Sequence, residues 1–275
     1  YTILFVGRRQ MCIRDSLRLV HGEGDGLPGL IVDLYGSTAV MQSHSVGIYK
    51  TMDIITELLL EVTNGAVRAV YNKSKSTLPF KAHVDAQDGY LMGERLDEEL
   101  LENGHSFVVS WEEGQKTGFY VDQRDNRRLL QGYCNGASVL NAFGYTGGFS
   151  VYALKGGASS VTTVDSSQRA LEIANQNIEL NFRASATHQS VCVDAFEYLK
   201  RERTTHDIIV LDPPAFAKHN SALRNALQAY KRLNAEAMVR LKPGGLLFTF
   251  SCSQVVNREN FRNSVFSASV IANKN

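Results

Sequence analysis

A cysteine flanked by two serines, Ser251-Cys252-Ser253, closes an apolar run that follows the turn signal Pro243-Gly244-Gly245. A thiol where a buried strand surfaces is either a small core residue or a nucleophile held at the mouth of a site. Upstream, Asp212-Pro213-Pro214-Ala215-Phe216 puts a carboxylate before two prolines, which continue neither a ladder nor a helix and so fix a rigid corner. That corner would aim Asp212 and its neighbouring carbonyls at a ligand. Phe216 is then available either to stack on a planar ring or to pack inside. Earlier still, "NAFGYTGGFS" (residues 141–150) carries Gly144, Gly147 and Gly148, which allow a backbone to approach a ligand closely. Asp165 and Asp194 complete the set.

These residues share a placement. From about residue 115 the chain alternates apolar strands with amphipathic helices. Strands are expected at 138–142, 160–165, 187–193, 207–212 and 246–251, with helices at 148–156, 167–181, 195–202 and 221–241. Apolar strands without polar alternation argue for a parallel sheet covered on both faces. Ligands of such sheets bind at the carboxyl ends of the strands. The glycine loop, Asp165 (an acid suited to ribose hydroxyls), Asp194, Asp212 and Cys252 would all stand at such ends. A dinucleotide fingerprint, GxGxxG, is the competing reading of the loop, and Gly-Tyr-Thr-Gly-Gly departs from its spacing.

Residues 17–114 have a different character, that of a small α+β domain. Strands are expected near 29–35, 38–43, 67–72, 88–93 and 105–111. The stretch 48–65 reads as one amphipathic helix with Met52, Ile55, Leu58 and Leu59 on a common face, ending at Asn64-Gly65. Residues 1–16 read as a leader unrelated to the rest of the chain, and the catalytic part as 115–275.

The bulk properties narrow the class. Of 275 residues 44% are apolar and 21% charged, with a net charge of +1, so a soluble globular chain is expected and charge alone announces no nucleic acid. Cys12, Cys134, Cys192 and Cys252 show no paired spacing, which suggests neither a metal site nor a disulfide framework. With no long apolar span and no signal-peptide pattern, a cytoplasmic protein without membrane or metal is expected. Cys134 and Cys192 are assigned to packing.

The segments "VLNAFGYTGGFSVYALKGGASSVTTVDSS", "DIIVLDPPAFAKH" and "LKPGGLLFTFSCS" resemble the class I S-adenosylmethionine-dependent methyltransferases. With "HGEGDGLPGLIVDLYG" and "TGFYVDQRDNRR", the chain more narrowly resembles the bacterial 23S rRNA 5-methylcytosine methyltransferases, from Leu17 to about Asn260. The resemblance implies a PUA RNA-binding domain, a central α+β domain and a Rossmann-like α/β catalytic domain. Against that pattern this chain is expected to lack the PUA domain and to stop in the helix after Cys252, before the last two strands of the usual sheet. The strand carrying Cys252 is therefore expected at a sheet edge.

The resemblance also implies roles. Asn141, Phe143, Tyr145, Thr146 and Gly147 would surround the methionine part of S-adenosylmethionine, Asp165 its ribose and Asp194 its adenine. Thr117, Phe119, Asp122, Gln123 and Arg124 would line the methionine end. Asp212 would lie between cofactor and base, with Pro213, Pro214 and Phe216 toward the base. Cys252 would add to carbon 6 of a cytosine so that carbon 5 becomes nucleophilic. A second cysteine after the proline corner, used by a related type of RNA methyltransferase, is lacking, which leaves the proton-abstracting base unnamed. The partner would be large-subunit rRNA, and the chain a homodimer. Arg124, Arg127 and Arg128 share one short helix, either as a solvated face or as phosphate contacts. Competing outcomes are methylation of a base nitrogen, which needs no thiol, or a cofactor- and RNA-binding fragment without catalysis.

Overall fold

The computed structural model describes residues 16–79, 84–96, 99–183 and 187–273. Cys12 lies outside them. The chain divides into two compact units, and the break falls between Arg124 and Asp125.

In the first unit five strands form one sheet in sequence order: β1 (Leu17–His21), β2 (Leu30–Tyr35), β3 (Thr38–Ser43), β4 (Ala69–Asn72) and β5 (Gly89–Met92). All neighbours are antiparallel except β3 and β4, which are joined by helices α1 (Val46–Lys50) and α2 (Met52–Val62). The single helix expected over this stretch is broken at Thr51, which sits at φ −107°, ψ 10° between the two. Within the second of these helices Met52 and Leu59, seven positions apart, share the buried face, while Leu58 lies off it and is exposed. A hairpin, β6 (Leu100–Glu102) and β7 (His105–Phe107), comes next, shorter than the strand expected to reach residue 111.

The first unit extends past the expected boundary at residue 114, because buried polar bonds tie residues 117–124 into it. Thr117 donates to the Asp33 carboxylate at 2.6 Å, the Tyr35 hydroxyl lies 2.9 Å from Thr117 Oγ1 and donates to the Phe119 carbonyl at 3.2 Å. Arg18 completes the cluster with two bonds to Asp33. Ser16, expected in the leader, is buried here, its amide bonded to the Leu101 carbonyl.

The second unit holds β8 (Ser138–Ala142), β9 (Ser160–Asp165), β10 (His188–Cys192), β11 (His206–Leu211) and β12 (Leu241–Thr249) in one parallel sheet, order β10-β9-β8-β11-β12. Helix α3 (Arg124–Gln131) begins at the break between units. After it come, in chain order, α4 (Gly148–Lys155), α5 (Gln168–Phe182), α6 (Ala195–Arg201), α7 (Leu223–Val239) and α8 (Arg258–Ile271). Alternate strand residues serve opposite faces. Val139, Val161, Ile208 and Val210 pack with Leu130, Phe149 and Ala153, whereas Leu140, Val164, Ile209 and Leu211 pack with Leu199, Leu233 and Ala237. Each such fully buried aliphatic side chain contributes about 1.5–3 kcal/mol.

The turn at Pro243–Gly245 lies inside β12 rather than before it. Leu241 pairs with His206 and Leu246 with Ile208, so the intervening residues bulge out of the ladder. The strand ends at Thr249, short of the expected residue 251. At the amino ends of the central strands Asp207 accepts from the Ser138 amide (2.8 Å), the Ser138 hydroxyl (2.6 Å) and Lys242 Nζ (2.8 Å). Lys242 and Ser138 hold this carboxyl far below the usual aspartate range. Among the described residues no helix is long and apolar enough to cross a membrane.

Candidate active site

The sheet order reverses between β8 and β11, so their carboxyl ends open the crevice in which such sheets bind ligands. After β8 the chain turns through Phe143-Gly144-Tyr145-Thr146-Gly147 into α4. Phe143 (φ 59°) and Tyr145 (φ 46°) adopt the left-handed conformation, uncommon for bulky side chains and a marker of strain that surrounding structure must hold. It is held by stitching to β9. Gly144 N–H donates to the Val164 carbonyl, and Tyr145 N–H to Asp165 Oδ2, both at 2.9 Å. The other Asp165 oxygen accepts from the Ser167 amide at the start of α5. Each oxygen keeps a second lone pair, so this bracing leaves Asp165 able to accept a hydroxyl.

Close approach explains Gly144. A Cβ there would fall 2.4 Å from Thr163 Cγ2 and 3.2 Å from the Asn141 carbonyl. Beneath the loop runs a polar chain that periodicity could not reveal, since its members come from four elements. Asn141 Nδ2 donates to Ser150 Oγ (2.9 Å), which meets Thr163 Oγ1 (2.7 Å), which meets His188 Nε2 (2.7 Å). Asn141, Ser150 and Thr163 are at most 1% exposed, and Asn141 Oδ1 has no hydrogen-bond partner among the described residues.

Burial pushes the His188 imidazole down to about 4, so it remains neutral in the folded chain. The unfolded chain takes up that proton below about pH 6.5. This contribution to stability is therefore present above that pH and lost as pH falls toward 4. Chemical unfolding measured from pH 7 to 4 should show the loss, and His188→Gln should flatten it by about 1.4 kcal/mol per pH unit. An unchanged slope would mean that the folded ring is already protonated.

Asp194 is exposed and caps α6 by accepting from the Glu197 amide at 3.1 Å. Asp212 comes directly after β11, with its amide 3.5 Å from the Ala142 carbonyl, which sets it beside the start of the glycine loop. Pro213 is buried and Pro214 exposed. The Phe216 ring packs 4.6 Å from Tyr230 and 6.0 Å from Phe196, an engagement that holds it within an aromatic row. Cys252 is exposed just past β12, and its Sγ donates to the Pro213 carbonyl at 3.6 Å. Three strand ends, β8, β11 and β12, thus bring the glycine loop, the proline corner and the thiol into consecutive contact.

The other cysteines differ from one another. Cys134 is buried, which pushes its thiol up to about 12, whereas Cys192, expected in packing, is exposed at the end of β10. The first unit contains Phe119, Gln123 and Arg124. Phe119 is buried against Phe107, the Gln123 amide donates to the Tyr120 carbonyl, and Arg124 bonds the Glu102 carboxylate and the Ser16 carbonyl. The arginines of α3 do not form one solvated face. Arg127 is buried with its guanidinium 5.9 Å from the Tyr152 ring, and of the three only Arg128 is exposed. No group of three metal-ligating side chains occurs among the described residues.

A parallel sheet of this order, with a glycine loop after its first strand and acids at the following strand ends, is the Rossmann-like fold of class I methyltransferases. The chain belongs to the S-adenosylmethionine-dependent methyltransferase family, whose profile matches residues 18–261. Over 265 residues it is 38% identical to a ribosomal RNA large subunit methyltransferase of Deinococcus radiodurans, covering 92% of this chain and 64% of that protein. It is 41% identical over 263 residues to ribosomal RNA large subunit methyltransferase I of Aeromonas hydrophila, covering 94% and 66%. The chain thus spans about two thirds of the length of these curated relatives. A crystal structure assigned as a methyltransferase and complexed with SAH superposes with a TM-score of 0.82 at 28% identity, over 98% of this chain and 71% of that one. S-adenosylmethionine is the cofactor of the family. The residues at the loop fit it, for Asn141 Oδ1 is a buried acceptor without a partner among the described residues, and Gly144, close against Thr163 and Asn141, keeps the loop free of a side chain.

Proposed function

We propose that the protein methylates carbon 5 of a cytosine in large-subunit rRNA through a Cys252 adduct. The observation that carries this reading is the exposed Cys252 thiol resting on the Pro213 carbonyl of the Asp-Pro-Pro corner. Asn141, Phe143, Tyr145, Thr146 and Gly147 would hold the methionine part of the cofactor, Asp165 its ribose and Asp194 its adenine. Asp212, Pro213, Pro214 and Phe216 would face the base; for Phe216 this means an edge of a ring already packed on Tyr230.

The Cys252 sulfur, as thiolate, forms a bond to carbon 6 of the cytosine, and the carbon 5–carbon 6 electron pair moves onto carbon 5. S-adenosylmethionine, when bound, would supply an electrophilic methyl group to that carbon, its sulfur keeping the electron pair of the broken bond. A base then takes the carbon 5 proton, the freed pair restores the double bond, and the sulfur leaves carbon 6 with its electrons. Asp212 would hydrogen-bond the cytosine edge during addition.

A nucleic-acid substrate is supported by a cationic rim that sequence periodicity did not single out. Between Asp212 and Glu236 there is no acid. Lys218, Arg224, Arg258 and Arg262 are all exposed. Arg224 and Arg258 stand in the first turns of α7 and α8, where a cation opposes the helix dipole and folding alone gains nothing from it. Both helices come after strands of the parallel sheet, so these turns lie on the Cys252 side. Replacing all four by glutamine should reduce the salt slope of RNA binding by roughly three, with cofactor affinity unchanged. An unchanged slope would remove this support.

The reading is tested by covalent capture. Large-subunit rRNA transcribed with 5-fluorocytidine, mixed with protein and S-adenosylmethionine, should give a band that survives denaturing electrophoresis, because fluorine cannot leave carbon 5 as a proton does. Absence of that band with cofactor bound would turn the assignment toward a base nitrogen or a non-catalytic module.

A further inference from the structure

Cys252 lies beyond the last ladder pairing of β12, in a segment with no regular structure to fix it. It is fixed instead by a closed set of hydrogen bonds around one buried hydroxyl. Tyr230, on α7, is fully buried, and Ser253 nearly so. Ser251 Oγ–H donates to Tyr230 Oη at 2.9 Å, and Tyr230 Oη lies 2.9 Å from Ser253 Oγ. Having accepted from Ser251, the tyrosine hydroxyl keeps its own hydrogen, and either it or Ser253 supplies the donor of their shared bond. Ser253 Oγ also accepts the Ala217 amide at 3.3 Å, and the Ser253 amide points back to Ser251 Oγ at 3.4 Å.

Ser251 and Ser253 both turn to Tyr230, while Cys252 between them is exposed and reaches the Pro213 carbonyl. The flanking serines are thus the reason the thiol surfaces. The loop carrying Pro213 belongs to the same clamp through Ala217, while the Tyr230 ring is itself held by Phe216 at 4.6 Å and Phe261 at 5.2 Å.

We propose that Tyr230 is the positioning residue for Cys252, its hydroxyl joining Ser251, Ser253 and Ala217 so that the thiol and the Asp-Pro-Pro corner are held as one unit. This rests on Cys252 being the nucleophile of the proposed reaction. Tyr230 touches no reacting atom; it acts through the two serines.

Tyr230→Phe is the probe, since it keeps the ring between Phe216 and Phe261 and removes only the hydroxyl. In the full chain, kcat for methylation of rRNA should fall ten- to a hundredfold, with KM for RNA and affinity for S-adenosylmethionine within twofold. Site-resolved iodoacetamide labelling should move the opposite way. Cys252, released from the carbonyl, should label several-fold faster, while exposed Cys192 and buried Cys134 keep their rates. A merely structural role would speed Cys134 as well, or lower cofactor affinity in step with kcat, and either result overturns the proposal. So does unchanged labelling of Cys252. Ser251→Ala and Ser253→Ala should show the same opposed signs, and their combination with Tyr230→Phe should add little. Cys252→Ala separates this proposal from the reading beneath it. If that variant still methylates rRNA, the nucleophile assignment fails; if it is inactive while Tyr230→Phe matches the parent in both assays, only the positioning role fails.

Discussion

Replacing Cys252 by alanine is expected to abolish the 5-fluorocytidine adduct and lower methyl transfer by at least ~10³-fold, equivalent to about 4 kcal/mol of transition-state stabilisation. The folded state should scarcely notice. The thiol is exposed, and its bond to the Pro213 carbonyl is a weak sulfur donor contact. Surface changes of this kind usually shift stability by no more than about 0.5 kcal/mol. Isothermal titration with S-adenosylmethionine and a thermal melt, both unchanged, would confine the loss to chemistry. Cys252→Ser should be nearly as inactive, because an alcohol is far less acidic than a thiol and offers little alkoxide for addition to carbon 6. Normal transfer by either variant would exclude the adduct and favour attack by a nitrogen of the base itself.

Gly144→Ala should have the second large effect, on binding. The added methyl would meet Thr163 Cγ2 at 2.4 Å, Asn141 Nδ2 at 3.1 Å and the Asn141 carbonyl at 3.2 Å. Thr163 is fully buried and held by Ser150 and His188, so it has no free side to move into. The loop must lift instead, taking Tyr145 off Asp165 and uncovering Asn141. An increase in Kd for S-adenosylmethionine of about a hundredfold or more is expected, close to 3 kcal/mol. Gly136→Ala is the matched control, since Gly136 is left-handed (φ 72°) but a Cβ there has nothing within 4 Å. That variant should lose about 1–2 kcal/mol of stability and keep its cofactor. If Gly144→Ala binds as tightly as the parent, the loop is not the cofactor cradle.

How much residue order discloses depends on how local each signal is. The alternation of apolar strands and helices was visible because the central strands of the second unit are buried on both faces. The strand ends carrying Asp165, Asp212 and Cys252 came with that pattern. The break at Thr51 was hidden, because a helix restarted after one residue preserves nearly the same spacing of apolar positions and only the packing shows that Leu58 is exposed. Arg127 looked like its neighbours Arg124 and Arg128. Its burial depends on Gly148, where a Cβ would press its Cδ at 3.2 Å, and on Tyr152, neither of which any charge pattern reports. Phe216 was offered either a base or the core, and Tyr230, fourteen positions away on another element, supplies the packing. The two serines beside Cys252 carried no meaning until that same tyrosine was placed against them.

The Asp207 clasp has a practical corollary for anyone re-engineering this domain. It fastens the starts of β8, β11 and β12 through Ser138 and Lys242, at the rim opposite the one that bears the glycine loop, the proline corner and Cys252. Anchorage and the proposed chemistry thus occupy separate ends of the same strands. Loops on the reactive rim can be exchanged, shortened or grafted from another methyltransferase without disturbing the fastening. A scaffold of this kind suits selection of altered base preference better than one whose sheet is held together by its own catalytic residues.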